Sequence, residues 1–168
     1  MVLGMTLATY TFLHVLISLV GIGSGAIVLV GYLARRHLRR WVAVFLWSTL
    51  LTSVTGFGFP FVRLLPSHIF GIISLPVLAL AIVALYVYHL VGSWRWIYLV
   101  TAMIALYLNV FVLIVQAFLK IPVLNALAPT QSEAPFVAAQ GAVLVLFVAL
   151  SALAVIKFRD VPAGHVRV

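Results

Sequence analysis

Five apolar runs, each long enough at about 1.5 Å per residue to cross roughly 30 Å of hydrocarbon, leave this chain very few folds to choose from. They cover residues 10–33, 41–65, 69–90, 96–119 and 135–158. None alternates polar and apolar positions as a half-buried strand would. In lipid every backbone N–H and C=O must find its partner inside the segment, so runs of this length predict helices. The expected fold is therefore all-α: an integral membrane bundle of five transmembrane helices forming one domain over residues 1–168. Charged residues make up 7% of the chain, against about a quarter in soluble proteins, which excludes an ordinary water-soluble domain.

Ten Lys and Arg oppose only Glu133 and Asp160, for a net charge of +8. Such an excess would suggest nucleic acid in a soluble protein. Here the basic residues form short clusters between apolar runs, where they orient helices and meet anionic head groups, so membrane lipids are the expected partners and nucleic acid is not. One face of the membrane collects Arg35, Arg36, Arg39, Arg40, Arg95, Lys157, Arg159 and Arg167, and the other Arg63 and Lys120. That asymmetry places the N-terminus outside and the C-terminus in the cytoplasm of a bacterial inner membrane. Trp41, Trp94, Trp96 and Tyr98 fall at the cytoplasmic interface as an aromatic belt would. The opening MVLGMTLATY has no basic residue ahead of its apolar run and no cleavage pattern after it, so the first helix is expected to persist rather than act as a signal peptide. Cysteine is absent, which rules out disulfides, thiolate metal sites and thiol catalysis.

Breaks fall at 34–40, 65–67, 92–96 and 120–133, and only the last is long enough for a folded excursion. There Thr130 and Glu133 fit a capping box, and Pro135 suits a first helical turn. Pro60 should kink or end the second helix, and residues 159–168 read as a disordered tail. No internal repeat is visible.

Apolar side chains account only for insertion, so function is sought in polar groups kept within the spans at a cost of roughly a few kcal/mol each. His14, Ser18, Gly21 and Gly25 share one stripe of the first helix, suited to helix packing or to a flat cofactor. Ser48, Thr52, Thr55 and Gly56 form a second stripe, read as a source of interhelical hydrogen bonds. Asn109 and Gln116 lie on the fourth helix, Gln140 and Ser151 on the fifth. His68 and His89 are 21 positions apart, hence at opposite membrane surfaces roughly 31 Å from each other. His89 there suits the negative end of a helix dipole. Depth and orientation together put His14, Arg63, His68, Gln116 and Gln140 in the outer half, where they would form a periplasm-side polar pocket under the 120–133 loop.

Two imidazoles at similar depth are what a six-coordinate b-type haem requires, and His14 with His68 is the pair this chain offers. Arg63 could then hold a propionate or Glu133, or simply reach the head groups. Quinone hydrogen bonding, proton relay and copper ligation use histidine pairs as well. No span carries a carboxylate to serve as a base, and hydrolytic triads and Gly-rich phosphate loops are missing. An enzymatic role is therefore not the expected one. The segments TSVTGFGFPF, LPSHIFGIISL, RWIYLV, LYLNVFVLIVQAFLK and LAPTQSEAPF resemble a group of small polytopic bacterial inner-membrane proteins, a likeness that implies the membrane fold and no activity. The histidines in a compact bundle are loosely similar to small membrane cytochromes b of the b561 type, which implies haem b. That pattern wants paired ligands at both faces, whereas a second pair here would need His37 from an Arg-rich loop with His89. The leading expectation is a membrane protein whose pocket binds haem b or quinone for electron transfer. The alternatives are a small transporter or channel subunit, homo-oligomeric because five helices enclose little space, and a structural subunit of a larger membrane complex.

Overall fold

The computed structural model of the chain describes residues 2, 4–59 and 66–159, with the side chains of residues 66–68 and 159 outside that description. It is all-α, with no β-strand among the described residues. Long helices α1 (Leu7–Leu33), α2 (Arg39–Gly56), α3 (Pro66–Ile82), α4 (Trp94–Lys120) and α6 (Ala134–Arg159) form the bundle, and the short α5 (Pro122–Leu127) lies in the connection between α4 and α6. The bundle is built on α1 against α2, α2 against α3, α3 against α4, and α4 against α6.

Four of these helices are long and apolar enough to cross a membrane: α1, α3 with its continuation over Ile69–Val87, α4 and α6. The α2 helix is the exception for a visible reason. It has 18 residues, opens on Arg39 and Arg40, and carries hydroxyls at Ser48, Thr49, Thr52, Ser53 and Thr55. The last part of the 41–65 run, with Pro60 and Arg63, lies outside the described residues, as does the tail from 160.

Local chemistry sets the ends. Thr6 caps α1 by accepting the Thr9 N–H at 3.2 Å, a role that suits a short hydroxyl side chain. Regular α3 gives way to a π-helical turn over Val83–Val87. His89, Leu90 and Gly92 then turn the chain with φ of 48°, 58° and 55°. His89 thus follows the C-cap Tyr88 as the left-handed residue that ends the helix, and the buried Leu90 offsets a backbone cost of about 1–2 kcal/mol. Tyr88 stacks on Trp94 across this corner, ring centroids 3.8 Å apart.

The packed core concentrates toward the end of the bundle that carries the 34–38 loop. Gly25 lets α1 approach closely: a Cβ there would lie 2.5 Å from Leu106 Cδ1 and 2.9 Å from Phe45 Cδ2. Lipid tails are as apolar as leucine, so close van der Waals packing over small residues replaces the hydrophobic drive of soluble bundles. Nearer the loop, the fully buried Tyr32 and Tyr98 join hydroxyl to hydroxyl at 2.5 Å with rings edge to face. His37 lies beside Tyr32 and Phe158, at centroid distances of 6.3 and 5.9 Å.

Two outcomes follow for the detergent-solubilised protein. Tyr32→Phe strands the Tyr98 hydroxyl in an apolar site and should cost about 1–3 kcal/mol, read as a lower unfolding midpoint. The double variant Tyr32→Phe/Tyr98→Phe should recover most of that loss, because removing both partners leaves nothing unsatisfied. Burial first, and the Arg39 cation second, hold the His37 imidazole below its ordinary value of 6.5. The unfolded chain therefore takes up this proton first as the pH falls. The stability it contributes is complete above 6.5 and declines as pH drops through the lower folded value. His37→Gln should flatten the pH dependence of the midpoint in that acid window.

Candidate functional site

Toward the other end of the bundle, α1 and α4 separate around a cavity of about 620 Å³, within the usual range of roughly 300–1,000 Å³ for small-molecule sites. On α1 the spacing of Thr11, His14, Ser18 and Ile22 turns one face into it. The end of α2 contributes Thr52, Ser53 and Gly56, α3 contributes Phe70, Gly71 and Ser74, and α4 contributes Asn109, Val112, Gln116 and Lys120. Its walls are mainly apolar.

Three helices meet at the floor. A Cβ on Gly21 would lie 3.2 Å from Thr49 Oγ1, 3.3 Å from Ser48 Oγ and 3.5 Å from Asn109 Nδ2. Asn109 donates to Thr49 Oγ1 at 3.3 Å, as an amide in lipid must find some partner. The roof is the α4–α6 connection, where Ile121 and Gln131 line the cavity. Asn125 donates to the Phe118 carbonyl at 3.1 Å and Gln131 to the Val115 carbonyl at 2.8 Å. The first of these satisfies a carbonyl that the end of α4 leaves without an intrahelical donor.

The hydroxyl stripe of α2, expected to make interhelical hydrogen bonds, makes one through Thr55 to His14 and otherwise bonds within its own helix. Ser48, Thr52, Ser53 and Thr55 each donate to a carbonyl one turn earlier in their own helix, those of Val44, Ser48, Thr49 and Leu51. A hydroxyl has one proton, and in lipid the nearest carbonyl takes it. Only the oxygen lone pairs remain for other helices.

That assigns the histidine. His14 Nδ1 lies 2.8 Å from Thr55 Oγ1, whose proton is already directed to the Leu51 carbonyl at 2.7 Å. Nδ1–H is therefore the donor, and Nε2 carries a free lone pair, since each nitrogen's state is set by the bond the other makes. The ring is also held edge to face against Phe59 at 5.1 Å. Tyr10 secures the same corner by donating to the Thr55 carbonyl at 2.6 Å.

Of the five residues expected to form the pocket, His14 and Gln116 line this cavity. Gln140 is buried on α6 and donates to the Phe111 carbonyl at 3.2 Å, with Oε1 unpartnered; it is not among the lining residues. His68 belongs to the first turn of α3 but its side chain, like all of Arg63, lies outside the described residues. The expected His14–His68 metal pair and the Arg63 contacts therefore lie outside the described residues as well. Among the described residues no group of three or more His, Asp or Glu could hold a metal ion. The expected capping box forms only in part: Glu133 accepts from the Thr130 N–H and hydroxyl at 3.1 and 2.9 Å. Because α6 begins at Ala134, Thr130 stands before the helix rather than at its cap. Pro135 does sit in the first turn.

Two lining groups were not singled out from sequence. Lys120 entered there only as a charge and Gln131 only as a loop residue, although Lys120 follows Gln116 by four positions and so shares its face. Neither Gln116 nor Lys120 has a side-chain hydrogen bond or ion pair among the described residues. Comparisons with protein-family models, curated proteins and solved structures find no match, and the site is read from its own geometry. That geometry brings one imidazole acceptor, one uncommitted amide and one ammonium to a single apolar-walled cavity.

The tautomer is measurable. ¹⁵N NMR of the histidine-labelled protein should show His14 neutral with its proton on Nδ1, and Thr55→Val, which keeps the shape and removes the acceptor, should shift the ring toward the Nε2–H form.

Proposed function

We propose that the chain is a five-span bacterial inner-membrane protein that binds the head group of a lipid-soluble quinone in the cavity between α1 and α4. The fifth span is α2: it is packed between α1 and α3, and in sequence it is followed by the apolar remainder of the 41–65 run. Arg35, Arg36, Arg39, Arg40, Arg95 and Lys157 belong to one end of the bundle and Lys120 to the other, which favours an outside N-terminus and a cytoplasmic C-terminus. The cavity then opens in the periplasmic half.

One observation carries the ligand class. On walls that are mainly apolar, the uncommitted polar groups include His14 Nε2, the Gln116 amide and the Lys120 ammonium, which lie on the facing helices α1 and α4. A quinone carbonyl accepts from the amide or the ammonium, and the O–H of the reduced form donates to Nε2. The rings of Phe59 and Phe70 flank the space a flat head group would fill. Electron transfer through such a site would draw on a redox partner within a larger membrane complex. The same Nε2 is also the kind of nitrogen that ligates haem iron, with His68 as the second ligand to try.

Titration of the purified protein with a short-tailed benzoquinone, followed calorimetrically, should show saturable binding. His14→Ala and Gln116→Leu should each weaken it about tenfold, the worth of one hydrogen bond of about 1.4 kcal/mol. No saturable binding removes the quinone reading, and a Soret band lost in His14→Ala replaces it with haem. Reporter fusions at each terminus read the orientation independently.

A further inference from the structure

We infer that the cavity is loaded sideways from the bilayer, through a cleft between α1 and α4, and that its ligand therefore carries a long apolar tail. The nature of the head group rests on the quinone reading above; the cleft does not.

Of the six exposed residues that line the cavity, four are apolar side chains within the helices, Val15 (40%) and Leu19 (47%) on α1 and Leu113 (40%) and Leu119 (48%) on α4, and the other two, Lys120 and Ile121, stand at the end of α4. The opposite wall is closed, with Ser53, Gly56, Gly71 and Ser74 buried at the meeting of α2 and α3. The opening thus faces away from α2 and α3. Below the cavity α1 and α4 are drawn together, by Gly21 near Asn109, by Gly25 under Leu106 and by the Tyr32–Tyr98 bond.

Among the described residues α6 contributes nothing to the lining. Along this half it stays on α4, with Phe136 edge-on to Phe118 and Gln140 bonded to the Phe111 carbonyl. Nothing from α6 therefore covers the cleft. The aqueous end is roofed by Ile121 and Gln131, and the Gln131 and Asn125 hydrogen bonds pin that roof to α4. A route edged by valine and leucine suits an isoprenoid or acyl chain and offers a hydrated solute no replacement for its water. The ligand's head lies against His14, Gln116 and Lys120, and its tail runs out between Leu19 and Leu113 into lipid.

The absence of native cysteine makes the cleft directly testable. A Leu19→Cys/Leu113→Cys variant in phosphatidylcholine vesicles is closed with cleavable bis-maleimides of graded length, and two probes are applied before closure, after closure and after cleavage. The first is a phospholipid with a photoreactive group near the end of its acyl chain, mapped by peptide mass spectrometry. Labelling of the back wall at Ser53 or Ser74 that disappears on closure and returns on cleavage is the expected result. Labelling confined to outward residues such as Phe12 and Val145 overturns the cleft. The second probe is a long-tailed benzoquinone, whose binding closure should slow about tenfold or more, and unchanged binding across closure also overturns the cleft. Back-wall labelling by lipid without any quinone binding keeps the lateral route and rejects the quinone head group, so the two readings fail separately.

Discussion

The seating of α1 on α2 and α4 at Gly21 and Gly25 is the contact from which the rest of the architecture follows. At Gly25 the missing side chain is replaced by Phe45 and Leu106, and at Gly21 by the oxygens of Ser48 and Thr49 and the amide of Asn109. In water such a junction would be driven by burial of apolar surface. In lipid it rests on van der Waals contact and on the few polar groups that can be satisfied there. The two glycines lie one turn apart, so they work as a fulcrum. Helices clamped over Gly21, Gly25 and Tyr32 are free to separate beyond Gly21, and the cavity occupies that separation.

The same logic explains why the molecule looks inside out by the standards of a soluble protein. Large apolar side chains such as Phe12, Val30, Val145 and Ile156 stand exposed, whereas Ser24, Ser48, Thr49 and Gln140 are buried. Lipid imposes no cost on the first group and a substantial one on the second. Polar groups consequently collect where helices meet, and the interfaces of this bundle are also its chemistry.

Much of this was legible in the sequence, and the remainder was not for identifiable reasons. Unbroken apolar runs dictate helices, and the small-residue spacing from His14 to Gly25 marked the face of α1 that is now the cavity and the fulcrum. Depth could be read from distance along a helix, and His14 and Gln116, placed at one level that way, line one cavity. Azimuth is harder. The α6 helix is apolar all round, and nothing in its pattern told whether Gln140 faces the cavity or the α4 backbone. Pairings between distant segments were out of reach as well: Tyr32 and Tyr98 are 66 positions apart, and no periodicity announces that two tyrosines share a hydroxyl contact. Thr49 was passed over beside the more regular Ser48, Thr52 and Thr55 stripe, although it is the hydroxyl that meets Asn109. The corner at His89 and Leu90 adopts a conformation that favours glycine, so no local signal for it existed.

The hydroxyls of α2 do more than fill an interface. Ser48, Thr52, Ser53 and Thr55 give their protons to their own helix and keep lone pairs for their neighbours, so at these positions α2 accepts hydrogen bonds from other helices and does not donate them. His14, facing Thr55, is therefore assigned the donor role through Nδ1–H, and Asn109 donates through Nδ2–H to Thr49. For Asn109 this spends amide protons at the floor of the cavity. For His14 the consequence is larger, because committing Nδ1–H to Thr55 obliges the neutral ring to offer a bare Nε2 on its other side. Thus an internal preference of threonine for its own i−4 carbonyl, two helical turns from the Gly21 junction, decides that the imidazole has a lone pair to offer a ligand and no proton.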